Sequence, residues 1–192
     1  MQRICIIGTT GSGKTTVAAE VARSLGSVHI ELDALNWQPG WVLVPSDRFR
    51  QGVATALEAP RWVTDGNYRS VRDLVWERAD CLVWLNYPLS LIVTRLIRRT
   101  ARRIWNSESC CNGNQESLRR AFSRESIILW ALQTHDRLRR EYPPLLGQFA
   151  ERGKTVVIHR SPKETRAWLD KIRLVQRAIT SKGSGNSIGC HG

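Results

Sequence analysis

Gly8-Thr9-Thr10-Gly11-Ser12-Gly13-Lys14-Thr15 directly follows the apolar run Ile4-Cys5-Ile6-Ile7. The spacing is that of a phosphate-binding loop, G-x-x-x-x-G-K-[ST], between a strand and a helix. A strand that ends in glycines and turns straight into a helix aims several backbone N–H groups at one point. The helix N-terminus adds about half a positive charge there, a field that suits a triphosphate. Gly8, Gly11 and Gly13 allow positive φ and close approach of backbone to phosphate. Lys14 would sit between the β- and γ-phosphates, and Thr15 would offer its hydroxyl to Mg²⁺. Ser12 belongs to the same cradle, and Thr16 is a candidate for contact with an outer phosphate. Helical spacing starts at once, with Val17, Val21 and Leu25 on one face and Gly26 as the stop signal.

Working outward, short apolar runs at Arg3 to Ile7, Val28 to Leu32, Arg61 to Thr64, Cys81 to Leu85 and Thr155 to His159 alternate with helical patterns. The helices are expected at Lys14 to Leu25, Asp47 to Glu58, Ser70 to Arg78, Leu89 to Trp105, Gln115 to Glu141 and Pro162 to Ile179. The last opens on a capping box, Ser161-Pro162-Lys163-Glu164. Such alternation implies a parallel sheet covered on both faces, a three-layer α/β/α fold. A chain of 192 residues suits one domain, expected over 1–180, with a Gly- and Ser-rich tail at 181–192 expected to be disordered.

In open sheets of this class, ligands bind beyond the carboxyl ends of the strands. The second strand ends at Leu32-Asp33 and the third at Thr64-Asp65, so both carboxylates come to the same edge as Lys14. One should hold Mg²⁺ through water and the other should orient or deprotonate an acceptor hydroxyl. Asp65, at the end of an apolar strand, is the candidate for the metal, and Asp33 lies nearer the place of an acceptor. Trp37 and Trp41 flank Pro39-Gly40 in a loop and could wall the acceptor, with Tyr68 and Arg72 as further contacts. His29 and His159 flank strands and read as structural. Trp62, Trp76, Trp84, Trp130 and Trp168, in strands and helices, read as core.

Asp33-x-Leu35-x-Trp37-x-Pro39-Gly40-Trp41, then Trp62-Val63-x-Asp65-Gly66-Asn67-Tyr68, then Arg78-Ala79-Asp80 before a strand ending in Asn86-Tyr87-Pro88, resembles the small bacterial phosphate-loop proteins related to adenylate kinase, some of them labelled topology modulation proteins. The resemblance runs from about Ile4 to Leu169. It implies a nucleoside-monophosphate-kinase-like fold with sheet order 2-3-1-4-5, ATP as phosphoryl donor, and a mobile helical lid at about 98–117. It also implies that Arg160 and Ser161 occupy the loop where related kinases hold adenine. Where adenylate kinases carry Asp-Gly-Phe-Pro-Arg, this chain has Asp65-Gly66-Asn67-Tyr68-Arg69, so the resemblance does not extend to AMP as acceptor. The ligands of a zinc-bearing lid are absent too.

Net charge is +12, carried mostly by arginine. On the helix from Leu89, the residues Leu89, Ile92, Val93 and Leu96 mark a buried face, and Arg95, Arg99 and Arg102 recur on another. If this helix bears the lid, those arginines, Arg99 and Arg102 foremost, with Arg98 and Arg103, would neutralise charge that develops on a transferring phosphoryl group. A solvated basic face and a nucleic-acid contact surface are the competing readings. The expected activity is therefore a Mg²⁺-dependent ATP phosphotransferase acting on a small acceptor. A nucleic-acid-associated NTPase and a nucleotide-binding regulator with little turnover are the alternatives. No stretch has membrane-spanning length and no leader is indicated. Five cysteines without framework or zinc spacing fit a reducing cytoplasm. A monomer is expected.

Overall fold

The computed structural model describes residues 1–105, 109–110, 114–115 and 127–184. Five parallel strands form the sheet: β1 (Arg3–Gly8), β2 (Val28–Glu31), β3 (Trp62–Asp65), β4 (Cys81–Leu85) and β5 (Thr155–His159), in the order β2-β3-β1-β4-β5. Numbered along the chain, this is the order 2-3-1-4-5. The helices are α1 (Lys14–Leu25), α2 (Leu32–Asn36), α3 (Ser46–Ala56), α4 (Arg72–Arg78), α5 (Leu89–Trp105), α6 (Ile127–Glu151) and α7 (Pro162–Ser184). A two-stranded hairpin pairs Trp37–Gln38 with Val42–Leu43, and another pairs Ser109–Cys110 with Asn114–Gln115.

Strand periodicity divides the core. On β1, Cys5 and Ile7 face α3, α4 and α6, where they pack with Trp62, Leu82, Trp84, Val53, Val75, Leu138 and Tyr142. Ile4 and Ile6 face the other way, toward Val17, Val21, Ile92, Leu96 and Leu169 from α1, α5 and α7. Both faces of the central strands are apolar because both are covered, as the continuous runs required. Each such side chain contributes about 1.5–3 kcal/mol on burial.

Several boundaries differ from the sequence expectations. Leu32 opens α2 rather than closing β2, and Asp65 is the last residue of β3 rather than the first beyond it. A single 3₁₀ turn at Arg69–Val71 precedes α4, and α7 runs to Ser184, into the stretch expected to be tail. The start expected for the next-to-last helix is corrected: Gln115 lies in the short strand that pairs with Ser109–Cys110, and α6 is described from Ile127. Its expected end at Glu141 is overrun by ten residues, since α6 passes through Pro143 and Pro144 to Glu151.

Proline normally ends a helix because it removes a donor and crowds the preceding turn. Here Pro143 and Pro144 lie on the exposed side, as do Arg139 and Arg140, whose carbonyls lose their donors to the proline pair. On the opposite side, Leu138, Tyr142, Leu146 and Phe149 are buried, and this apolar stripe carries the helix across. Two expectations held at helix ends. Gly26 closes α1 at φ 60°, and the Ser161–Glu164 cap forms, with Glu164 N–H donating to Ser161 Oγ at 3.3 Å while the Glu164 carboxylate accepts from Ser161 Oγ at 2.9 Å and from Arg160 N–H at 2.8 Å. Trp130 is a correction. It is 53% exposed, with the Arg137 guanidinium over its ring, so it is not a core residue.

Candidate functional site

The loop between β1 and α1 has the conformation its glycines permit. Gly13 caps α1 at φ 93°, in the left-handed region where a side chain is strained. Gly11 lies so close to α5 that a Cβ there would be 2.6 Å from Leu96 Cγ. α5 also grips the loop with a charge, because Arg95 donates to the Ser12 carbonyl at 2.8 Å while its guanidinium lies over the Tyr87 ring. At the loop's first residue, Asn67 acts as a two-point clamp. It accepts from Gly8 N–H at 3.2 Å and donates to Gly8 C=O at 2.5 Å. Neither Arg95 nor Asn67 was singled out from sequence as a holder of the loop.

Lys14 is half-buried, and its ammonium donates to the Thr9 carbonyl at 3.3 Å. Burial pushes its pKa below the usual lysine range; Asp33 and then Asp65 oppose that shift, and Arg99 adds to it. One lysine thus feels two carboxylates and one guanidinium, the four groups that sequence reasoning assigned to catalysis at this edge. Arg102, the fifth, is exposed on α5 a turn beyond Arg98.

Asp65 is buried and both of its oxygens are engaged. Thr15 Oγ1 donates to Oδ2 at 2.6 Å, and His29 Nε2 lies 2.9 Å from Oδ1. The hydroxyl and carboxylate expected to serve Mg²⁺ are therefore neighbours. A hydroxyl paired with a carboxylate in a strand-end cradle is a hard-oxygen donor set of the kind Mg²⁺ takes. His29, read from sequence as structural, is part of this arrangement. Its place depends on β2 pairing with β3, which no local pattern announces.

Asp33, on α2, is held separately. Tyr68 Oη donates to Asp33 Oδ1 at 2.6 Å. Burial, then Asp33, raises the Tyr68 pKa far above its ordinary value, so the phenol keeps its proton and stays a donor. Trp37 and Trp41 meet edge-to-face at 5.5 Å between centroids, in the hairpin, and belong to neither core. Trp41 has φ 60°, a non-glycine residue in the left-handed region. Arg72 is stacked over Trp76 and Tyr142 at 5.2 and 5.9 Å. It lines a small cleft with Leu32, Gly66, Asn67, Tyr68 and Tyr142. Arg160 is at the other end of the site, exposed beyond β5. Thr16 is exposed on the first turn of α1, and Ser12 is buried with its Oγ unpartnered among the described residues. Such an orphan oxygen within the loop fits a cradle whose bonding is completed by ligand. Of the expected lid, 98–105 is the end of α5 and 109–110 pairs with 114–115; its other residues lie outside those described.

A shikimate kinase structure from Bacteroides thetaiotaomicron matches the chain with a TM-score of 0.52 at 14% identity, covering 92% of this chain and 98% of that one. The chain has the phosphate-loop kinase fold. A gluconokinase from Sinorhizobium meliloti 1021 matches at TM-score 0.49 and 20% identity over 97% of each chain. A sugar kinase from Janibacter sp. HTCC2649 matches at 0.46 and 19%, over 100% of this chain and 99% of that one. No family model and no curated protein matches the sequence. On this fold, the loop, Lys14 and both aspartates lie at the carboxyl edge of the sheet. No described helix is long and apolar enough to cross a membrane.

Proposed function

We propose that this protein is an ATP-dependent phosphotransferase that moves the γ-phosphoryl group to a hydroxyl of a small acceptor. The observation that carries this reading is the bond from Thr15 Oγ1, the hydroxyl that follows Lys14 in the loop, to the buried Asp65 carboxylate at 2.6 Å. A merely structural glycine turn has no use for a buried carboxylate held against the hydroxyl of its last residue.

Gly8, Gly11, Ser12, Gly13, Lys14, Thr15 and Thr16 would hold the phosphates of ATP, and Arg160 would flank the base. Thr15 and Asp65 would hold Mg²⁺, which supplies charge neutralisation at the β- and γ-oxygens when bound. Asp33 is the acceptor-side group. With Tyr68 on Oδ1, the carboxylate is fixed in orientation, and Oδ2 is the oxygen left to accept the acceptor's hydroxyl proton. The acceptor oxygen forms the new O–P bond while the β–γ bridging bond breaks and ADP departs. Arg99 and Arg102, on α5, are the cations for charge on the transferring group. Trp37, Trp41, Tyr68 and Arg72 would contact the acceptor. Asp33 and Asp65 take these roles because Asp65, not Asp33, bonds Thr15.

The test is ADP formation by the purified protein with Mg²⁺ against nucleosides, nucleoside monophosphates, sugars and hydroxy acids, with a parallel arm containing DNA. Acceptor-dependent ADP formation that Lys14→Ala abolishes supports the kinase. Stimulation confined to the DNA arm overturns it in favour of a nucleic-acid-associated NTPase, the reading favoured by the exposed Arg98, Arg102, Arg139 and Arg140. ATP binding with no turnover in either arm would make the protein a nucleotide-binding regulator.

A further inference from the structure

Thr9, the second residue of the phosphate loop, is where three contacts cross. Its carbonyl accepts from Ser12 N–H at 3.0 Å and from the Lys14 ammonium at 3.3 Å. Its side-chain hydroxyl pairs with His135 Nδ1 at 3.2 Å, a residue 126 positions away on α6. Both partners are buried, Thr9 at 4% and His135 at 2% exposure. The second ring nitrogen, Nε2, is buried without a partner among the described residues.

A buried histidine that left half its polar capacity unsatisfied would be costly in a core with no use for it, and an apolar residue would fill the same volume. What the ring does accomplish is specific. Threonine is stiff at χ1 because two heavy atoms crowd Cβ, so holding Oγ1 restrains its Cα and with it the peptide that leads on to Thr10. That peptide presents the carbonyl on which Lys14 rests. Burial, and then Arg139, holds the His135 pKa below the usual histidine range, so the ring brings a hydrogen bond to the loop without bringing a second positive charge beside Lys14.

We propose that His135 is a positioning residue for the phosphate loop: through Nδ1 it fixes Thr9, and so the opening turn of the loop and the resting place of Lys14, making α6 part of the nucleotide site. The proposal rests on the reading of this loop as an ATP site. It adds a residue from the far side of the chain to a motif that otherwise lies within eight consecutive positions.

Titration of ATP with Mg²⁺ into the full chain by calorimetry tests it, with His135→Ala, His135→Asn, His135→Gln, Thr9→Val and the His135→Ala/Thr9→Val double variant, each checked for native circular dichroism. His135→Ala and Thr9→Val should each weaken binding about five- to tenfold, the size of one lost hydrogen bond at a fixed site. The double variant should be no weaker than either single one, because both remove the same contact. Asparagine sets its amide near the place of Nδ1 and should restore most of the affinity; glutamine, whose amide falls nearer Nε2, should not. Wild-type affinity in folded His135→Ala, additive losses in the double variant, or rescue by glutamine instead of asparagine would each overturn the assignment. Should His135→Ala not fold, Thr9→Val and His135→Asn decide alone. Failure of the wild-type chain to bind ATP would sink the nucleotide reading itself and the proposal with it, an outcome distinct from normal wild-type binding that the variants leave untouched.

Discussion

Gly8 and Thr15 are each held by a side chain at or just beyond the end of β3, whereas the hairpin that bears Trp37 and Trp41 lies outside both cores, with Val42 and Leu43 exposed at 54% and 57%. The proposed phosphate side of the cleft is built from backbone geometry held by partly buried polar contacts. Its opposite side is an aromatic pair on a short two-stranded ribbon. Every ATP-using enzyme of this fold meets the same polyphosphate, so one side can be rigid and stereotyped. In the proposed function the acceptor side would have to fit the hydroxyl it serves, and adaptable loops on a fixed scaffold are how specificity is usually added.

Substitutions can break or sharpen this contrast. The largest effect belongs to Lys14→Ala, which should lower turnover at least about 100-fold, as expected for losing a preorganised charge at a transferring group, while the melting temperature stays near that of the wild type. A rate that hardly changes would remove Lys14 from the chemistry.

Next comes Asp65→Asn, which should raise the Mg²⁺ concentration for half-maximal activity about 10- to 100-fold, because Thr15 and His29 both depend on that carboxylate. Equal loss at saturating Mg²⁺ would instead mean that Asp65 serves the fold. Tyr68→Phe should act on the acceptor side alone, with kcat down about five- to tenfold and ATP affinity unchanged, since it frees Asp33 Oδ1 without touching the loop. If ATP affinity falls too, the two sides are not independent.

Alkaline titration should destabilise both sides together. Tyr68, Tyr87, Tyr142 and Cys5 have their pKa values raised chiefly by burial, and Cys81 is pushed up to about 12 for the same reason. For such groups the native state keeps protons that the unfolded chain gives up. Stability is therefore intact below pH 9 and falls as pH rises through the ordinary cysteine and tyrosine range toward the raised values. Urea midpoints from pH 8 to 11 would show it, and a flat profile would contradict the burial of these phenols. Smallest is Trp41→Gly. Relief of the left-handed strain and the added freedom of the unfolded chain nearly cancel, so stability should move by no more than about 1 kcal/mol while acceptor KM rises.

Legibility from sequence follows the same divide. The loop, Thr15, the strand pattern and the Ser161–Glu164 cap could be read because each is decided within a few residues. Asp33 and Asp65 could be read once the sheet was, since strand ends bring them to one edge. His29, Asn67, Arg95 and His135 matter through partners 36, 59, 83 and 126 positions away, and no short-range pattern encodes such pairings. The end of α6 misled for a related reason. Pro143-Pro144 is a strong local stop, overruled by a buried stripe whose value is set by packing against the sheet. Trp130 misled because helical spacing alone cannot say whether a neighbouring element covers that face.

The fit of Gly11 against Leu96 has a mechanical side. With a Cβ at residue 11 only 2.6 Å from Leu96 Cγ, even an alanine would act as a wedge under α5. Nine residues and about 14 Å of helix separate Leu96 from Trp105, so a small tilt at the base is magnified at the tip. The loop between β1 and α1 and the far end of α5 thus form a lever with Gly11 as its fulcrum, and the absence of a side chain there sets the resting angle of that arm.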